Sequence, residues 1–296
     1  MRFISLQENL KRGLNIVGHI TSKNINLPIL NNILIKAENG NIELISTNLE
    51  IGIVHQLRGK IELDGQFTVD SKLITEYVNL LSSGEKVKIE EKGGELKIDC
   101  SGYKTKIKGE EAKEFPLIPS ISRDNPYSCS AEDLKKALNS VIFAVSNSEN
   151  RLELTGVLFY FNNKKLSLVA TDSYRLAEKE ILFKSPGESP ESKFIIPSKT
   201  AQELLRVLNA VDLSVDNQGT DVNIYLSDNQ ILFTVDSVEL ISRLINGHYP
   251  DYQQIIPSKI ITEVWLDRNE FIRAVKAAAL FSKTGINDIS LKVLSK

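Results

Sequence analysis

The sequence repeats itself, and this constrains the fold more than any other property. LKRGLNIV (10–17) returns as LKKALNSV (134–141), an offset of 124 residues that continues without a gap. It carries Leu30 onto Leu154, Ile33 onto Val157, Leu34 onto Leu158, Ile42 onto Leu166 and Leu44 onto Leu168, and ends with Thr47-Asn48 on Thr171-Asp172. A second block, FTVDSKLITEYVNLL (67–81), returns as FIIPSKTAQELLRVL (194–208) at an offset of 127. Each copy closes with an aromatic-proline pair and a later proline, FPLIP (115–119) and YPDYQQIIP (249–257). A third copy opens after Pro257 with VWLDRNEFIRAVKAA (264–278) and DISLKV (288–293). At a repeat length of roughly 120–130 residues it would run to about residue 380. The expected domains are therefore 1–122, 124–252 and an incomplete 258–296.

Within each copy the pattern reads strand, helix, strands, helix, strands, which is an α+β fold with two helices packed on antiparallel sheets. The first strands, FISL, YSCS and EVWL, alternate as half-buried strands do. Ser5, Ser130 and Asp267, each followed three residues later by an acid (Glu8, Asp133, Glu270), are read as capping boxes for the first helices. Leu10, Leu14 and Val17, with their counterparts Leu134, Leu138 and Val141, mark one buried stripe. The second helices are expected over about 71–82 and 198–209.

Several function classes fall away. No apolar run approaches the roughly 18 residues of a membrane span, and MRFISLQENLKRG lacks the apolar core of a signal peptide. Cys100 and Cys129 form neither a disulfide framework nor a metal pattern, which fits a reducing cytoplasm. His19, His55 and His248 have no ligand spacing, so no metal or cofactor is expected. Ser71-Lys72 and Ser198-Lys199 could be imagined as nucleophile and base. A serine at a helix start is better read as an N-cap, and adjacent helical residues do not face each other. No catalytic residue is assigned.

Two features remain. ATDSYRLAEKE (170–180) reads as a turn between strands, with Thr-Asp-Ser supplying the turn chemistry. The first copy keeps Thr-Asn in STNLEIGI but lacks Tyr-Arg-Leu, so the second turn is also a candidate binding rim. The helices carry bases at matching places: Lys11-Arg12 falls on Lys135-Lys136 and again on Ile272-Arg273, and Lys72 matches Lys199. A charge run is usually a solvated helix face. Repetition at equivalent positions supports a ring with a basic lumen facing phosphates, its acids lying outside, which would reconcile DNA contact with a net charge of -2.

The opening MRFISLQENLKRGLNIV, LPILNNILI (27–35), VATDSYRLA (169–177), FIIPSK (194–199) and NGHYPDYQQIIP (246–257) resemble the bacterial DNA polymerase III beta subunits, the sliding clamps. The resemblance implies like-folded domains, a head-to-tail homodimer when full length, double-stranded DNA threading the ring, and a non-enzymatic processivity role in replication. It implies as partners the DNA polymerase III alpha subunit, the clamp loader and other proteins with clamp-binding motifs. It places the peptide site at Leu154, Thr171, Ser173, Tyr174, Arg175, Leu176, Pro250, Gln254 and Ile255. The family often has Gly-His where Ser173-Tyr174 stand, and a base at Gln254. DNA-facing loop positions are Lys23, Asn24, Ser148 and Arg151, beside the helical bases; some relatives carry a tyrosine pair at Leu152-Glu153. The dimer contact would join Leu280 and Phe281 to the strand YKTKIK, with Lys104, Lys106 and Lys108 alternating on one face.

The alternatives are a peptide-binding adaptor on the same fold, and a clamp fragment that does not close a ring. The second follows from the partial third copy, whose helix stripe (Phe271, Ala274, Val275, Ala278) and Leu280 and Phe281 are expected to be exposed.

Overall fold

The computed structural model describes every residue except 22–25, 149, 163, 186, 188–190, 212–219, 283–287 and 294–296. The described residues fall into two compact units, Met1–Tyr249 and Pro250–Lys296, and the first holds both complete repeats.

The first repeat runs β1 (Arg2–Leu6), α1 (Gln7–Val17), β2 (Asn32–Glu38), β3 (Asn41–Thr47), β4 (Ile51–Leu57), β5 (Gly59–Leu63), β6 (Gly65–Asp70), α2 (Ser71–Leu80), β7 (Lys86–Lys92), β8 (Glu95–Cys100) and β9 (Tyr103–Glu110). The second runs β10 (Tyr127–Ser130), α3 (Ala131–Val141), β11 (Gly156–Asn162), β12 (Lys165–Thr171), β13 (Leu176–Ser185), β14 (Glu191–Pro197), α4 (Ser198–Ala210), β15 (Asp221–Leu226), β16 (Gln230–Val235) and β17 (Val238–Arg243). Every named strand pairing is antiparallel.

One difference separates the copies. The single strand β13 pairs with β12 and, further along, with β10. Its counterpart is broken at Arg58 into β4, which pairs with β3, and β5, which pairs with β1. Ser5 Oγ donates to the Arg58 carbonyl at 2.7 Å and satisfies the break. A Cβ on Gly59 would lie 2.6 Å from the Ile4 carbonyl oxygen, so only glycine lets the two backbones meet there. Ser5 is thus not a helix cap as expected. The N-cap of α1 is Leu6, which has no side-chain oxygen to offer. The capping assignment holds in the other copies, where Ser130 accepts from the Asp133 amide at 3.4 Å and Asp267 from the Glu270 amide at 2.8 Å.

The second helices begin where expected, with Ser71 and Ser198 as their first residues rather than caps. Asp70 caps α2, accepting from the Leu73 amide at 2.7 Å, and Pro197 precedes α4 with no side-chain cap bond. The stripes Leu10, Leu14, Val17 and Leu134, Leu138, Val141 are fully buried in one apolar core that spans both repeats.

The repeats join edge to edge. Strand β17 pairs with β4, setting Val238 opposite His55 and Ser242 opposite Ile51. On the helical side α2 packs on α1, α1 on α4, and α4 on α3, so the four helices form a single row. Arg206 of α4 spans that seam, donating through its Nη groups to the carbonyls of Asn15 (3.2 Å) and Ile16 (2.5 Å). A cation there meets the negative end of the α1 dipole. Glu203 orients Arg206 at 2.8 Å and holds His19 at 2.5 Å. His55 is buried beneath this seam beside the Arg12–Asp236 pair (3.4 Å); burial foremost, then the Arg12 charge, brings its pKa down to about 4.

In the second unit α5 (Arg268–Ala279) is the expected helix, and Phe271, Ala274, Val275 and Ala278 are half-buried or exposed. The strands expected at EVWL and DISLKV are absent. In the complete repeats the first strand is held by strands from further along its own copy, and among the described residues the third copy has none. Without a ladder partner an isolated strand leaves its backbone groups to water.

Candidate functional site

The turn between β12 and β13 is built by side chains bonding their own backbone. Thr171 Oγ1 donates to the Arg175 carbonyl (2.8 Å) and accepts from the Ser173 amide (3.1 Å). Asp172 Oδ1 accepts from the amides of Tyr174 and Arg175, both at 3.0 Å. These bonds hold Ser173 at a left-handed φ of 76°. Donation from the Arg175 amide foremost, with smaller help from the Tyr174 amide and the Arg175 side chain, keeps the Asp172 carboxyl below its usual range.

The turn leaves different groups outside and in. Tyr174 is almost wholly exposed, whereas Thr171 and Leu154 are buried and Leu176, paired with Thr171, is half-buried. Arg175 Nε donates to Asp172 Oδ2 at 2.9 Å, and its guanidinium lies 5.4 Å from the centre of the exposed Phe143 ring. Tyr249 closes the second repeat, its hydroxyl donating to the Val169 carbonyl at 3.5 Å; burial drives its pKa up to about 12. Leu154 lies in a short 3-10 turn whose carbonyl accepts from the Ser146 amide at 2.9 Å. The arrangement is a polar turn held by its own bonds, with Leu176 half-buried at its end, Leu154 and Thr171 buried and Arg175 exposed; among the described residues no cluster of His, Cys, Asp and Glu could hold a metal.

Pro250, Gln254 and Ile255 belong to the second unit. There Gln254 Nε2 donates to Asp251 Oδ2 at 2.7 Å, and Ile255 is exposed at the end of a 3-10 turn. Leu280 and Phe281 are exposed in the same unit, as is Arg273.

Of the expected DNA-facing residues, Lys11, Lys72, Lys136 and Lys199 are exposed on the helical row and Lys135 is half-buried. The separation of bases from acids does not hold. Lys72 pairs with Glu76 (3.8 Å) and Lys136 with Glu132 (2.7 Å) at helical i,i+4 spacing, and Arg12 bonds Asp236 across the seam. Residues four apart share a helix face, so each acid neutralises its neighbour. Arg151 pairs with Glu153 at 2.9 Å, and Ser148 lies exposed in the same loop. Lys23 and Asn24 lie outside the described residues.

Strand β9 presents Lys104, Lys106 and Lys108 outward while Ile107 is buried, as the alternation requires. Lys104 pairs with Asp99 (3.3 Å) and Lys106 with Glu95 (3.4 Å). Over Tyr103–Lys108 this strand pairs only with β8 among the described residues, so its other edge is open.

Sequence reasoning missed Phe143, Tyr249 and the group His19, Glu203 and Arg206. Tyr249 carried a signal, its place in the repeated aromatic-proline pair; the others became visible only once distant segments met.

Comparison with known proteins agrees with this architecture. Residues 1–119 match the family model described as DNA polymerase III beta subunit, N-terminal domain, and residues 128–251 match its central domain. The chain is similar to the beta sliding clamp of Staphylococcus aureus, at 31% identity over 98% of this chain and 76% of the relative. Among solved structures it is similar to a putative DNA polymerase III beta subunit from Eubacterium rectale, with a TM-score of 0.87 and 30% identity over 96% of this chain and 75% of that one. It is also similar to a sliding clamp from Bartonella birtlesii bound to griselimycin, with a TM-score of 0.86 and 29% identity over 96% and 75% of the two chains.

Proposed function

We propose that this chain, which belongs to the DNA polymerase III beta-subunit family and is a DNA sliding clamp, tethers a replicative polymerase by encircling duplex DNA as a head-to-tail homodimer when full length. The observation that carries the reading is the single helical row of α2, α1, α4 and α3 laid over sheets joined edge to edge by β4 and β17. Such a row gives a curved assembly one continuous inner lining. Lys11, Lys72, Lys135, Lys136 and Lys199 on that row, with Lys23, Asn24, Ser148, Arg151 and Arg273, are the groups we assign to the duplex. Because several are already paired with acids, the contact is loose and salt-sensitive, which suits sliding better than grip.

Leu154, Thr171, Ser173, Tyr174, Arg175 and Leu176 of the first unit form the proposed peptide site for the polymerase alpha subunit, the clamp loader and other motif-bearing partners; Pro250, Gln254 and Ile255 of the second unit are the further peptide-binding positions that the family resemblance implies. An extended peptide would seat an apolar anchor against Leu176 and find its polar contacts on the turn. The open edge of β9, with Lys104, Lys106 and Lys108, is the proposed dimer contact for Leu280 and Phe281 of a second copy. The role is accessory rather than enzymatic, and it is exercised in the cytoplasm. No helix among the described residues is long and apolar enough to cross a membrane.

The test is retention of the full-length polypeptide on a nicked plasmid. The expected result is a complex that survives dilution and slides off once the plasmid is linearised. Equal retention on circular and linear DNA, or none on either alongside intact peptide binding, would favour the adaptor reading.

A further inference from the structure

We propose that Phe143 is a positioning residue of the peptide site. It acts with Asp172 to hold the Arg175 guanidinium as a fixed donor for a neutral oxygen of the bound peptide, such as a main-chain carbonyl. The inference rests on the peptide-site reading above and adds what its rim recognises.

Three observations carry it. First, Phe143 is more than half exposed (58%) in the 3-10 turn that follows α3, and the Arg175 guanidinium lies 5.4 Å from the centre of its ring. That is within the range at which a cation is attracted to a ring face. Second, only Nε of Arg175 is used, on Asp172 Oδ2 at 2.9 Å; among the described residues its two Nη groups hold no hydrogen bond. A guanidinium fixed through Nε and backed by a ring keeps its Nη fork in one place, so less freedom is lost when a ligand binds. Third, the pair is not demanded by the fold. At the 124-residue offset Phe143 corresponds to His19 and Arg175 to Ile51. In the first repeat the same turn keeps its backbone bonds with Ile51 in place of Arg175, and His19 bonds Glu203 instead.

The choice of ligand atom follows from charge. Asp172 already neutralises Arg175, so a carboxylate on the peptide would gain little and would meet the Asp172 charge close by. A carbonyl oxygen accepts from the fork without that opposition.

Griselimycin, the compound held by the Bartonella birtlesii clamp, serves as the probe in calorimetric titrations of the full chain. Leu176→Asp is expected to abolish binding, and a wild-type affinity there would remove both the site and this inference. Phe143→Ala is expected to weaken binding roughly fivefold with an unchanged melting temperature, and Phe143→Tyr to restore it. In an Arg175→Ala background Phe143→Ala is expected to add nothing. If Leu176→Asp abolishes binding while Phe143→Ala leaves it intact, or weakens it equally in both Arg175 backgrounds, the positioning role is wrong and the site stands. An affinity that falls more than about tenfold between 50 mM and 500 mM salt would show a charged acceptor and overturn the neutral-oxygen assignment.

Discussion

The turns at Thr47–Gly52 and Thr171–Leu176 are one device used twice. In each, the threonine hydroxyl bonds the carbonyl four residues on and the amide two residues on, and the following Asn48 or Asp172 accepts two amides. In each the third residue is left-handed, Leu49 at 74° and Ser173 at 76°. The surroundings differ. At Gly52 a Cβ would lie 3.0 Å from Ile118 Cδ1, so the closing segment of the first repeat fills the space beside the position that Leu176 holds in the second. Beyond the turn, β4 is covered by β17, whereas over Leu176–Leu182 β13 pairs only with β12 among the described residues. Position 55 shows the consequence: His55 is buried, and its counterpart Lys179 is exposed. The backbone bonds belong to the fold, whereas among the described residues the side chains around the second turn are left uncovered.

The largest expected effect tests the covered copy. The fold holds His55 neutral, so its contribution is whole above pH 6.5 and drains away as pH falls from 6.5 towards 4. The loss should approach roughly 3 kcal/mol. In chemical denaturation, His55→Gln should flatten that part of the stability–pH curve, while Lys179→Gln should leave it unchanged. A curve as steep in His55→Gln as in wild type would mean the junction does not exclude the charged imidazole.

Exchanging the residues at the equivalent turn positions comes next. Gly52→Leu would drive a side chain into Ile118 and should cost about 2 kcal/mol, read as a lower denaturation midpoint. Leu176→Gly should cost less stability but lose peptide affinity. Equal stability losses from the two would erase the distinction between a plugged and an open copy.

Removing the shared bonds sharpens what is common. Thr47→Val and Thr171→Val should each cost about 1–2 kcal/mol, because each strands turn groups that the hydroxyl satisfied. A cost in one copy alone would show that the turns only look alike. The smallest effect comes from backbone strain. Ser173→Gly and Leu49→Gly should each stabilise by about 0.5 kcal/mol, since glycine removes the left-handed penalty while giving back some chain entropy.

The periodic part of the molecule was legible in the sequence. Repeat offsets, helix stripes and the alternation of Lys104, Lys106 and Lys108 depend on local geometry, so spacing alone reports them. The capping reading at Ser130 and Asp267 survived for the same reason. It failed at Ser5 because β1 runs on to Leu6, which takes the cap position, leaving the Ser5 hydroxyl in the strand to donate to the carbonyl of Arg58, distant in sequence. The separation of bases from acids failed in a related way. Repetition marked the bases, but the acids that pair with them lie one helical turn away or, at Asp236, across the seam.

What the sequence determined by itself was the unit, its repetition and the turn that each unit carries, because every one of those rests on residues close along the chain. Tertiary structure alone decided which copy of the turn is covered by β17 and Ile118, that Arg206 caps α1 from the other repeat, and that Phe143 stands beside Arg175. Those contacts join segments that spacing does not relate, and only the burial of a common core brings them within reach of one another.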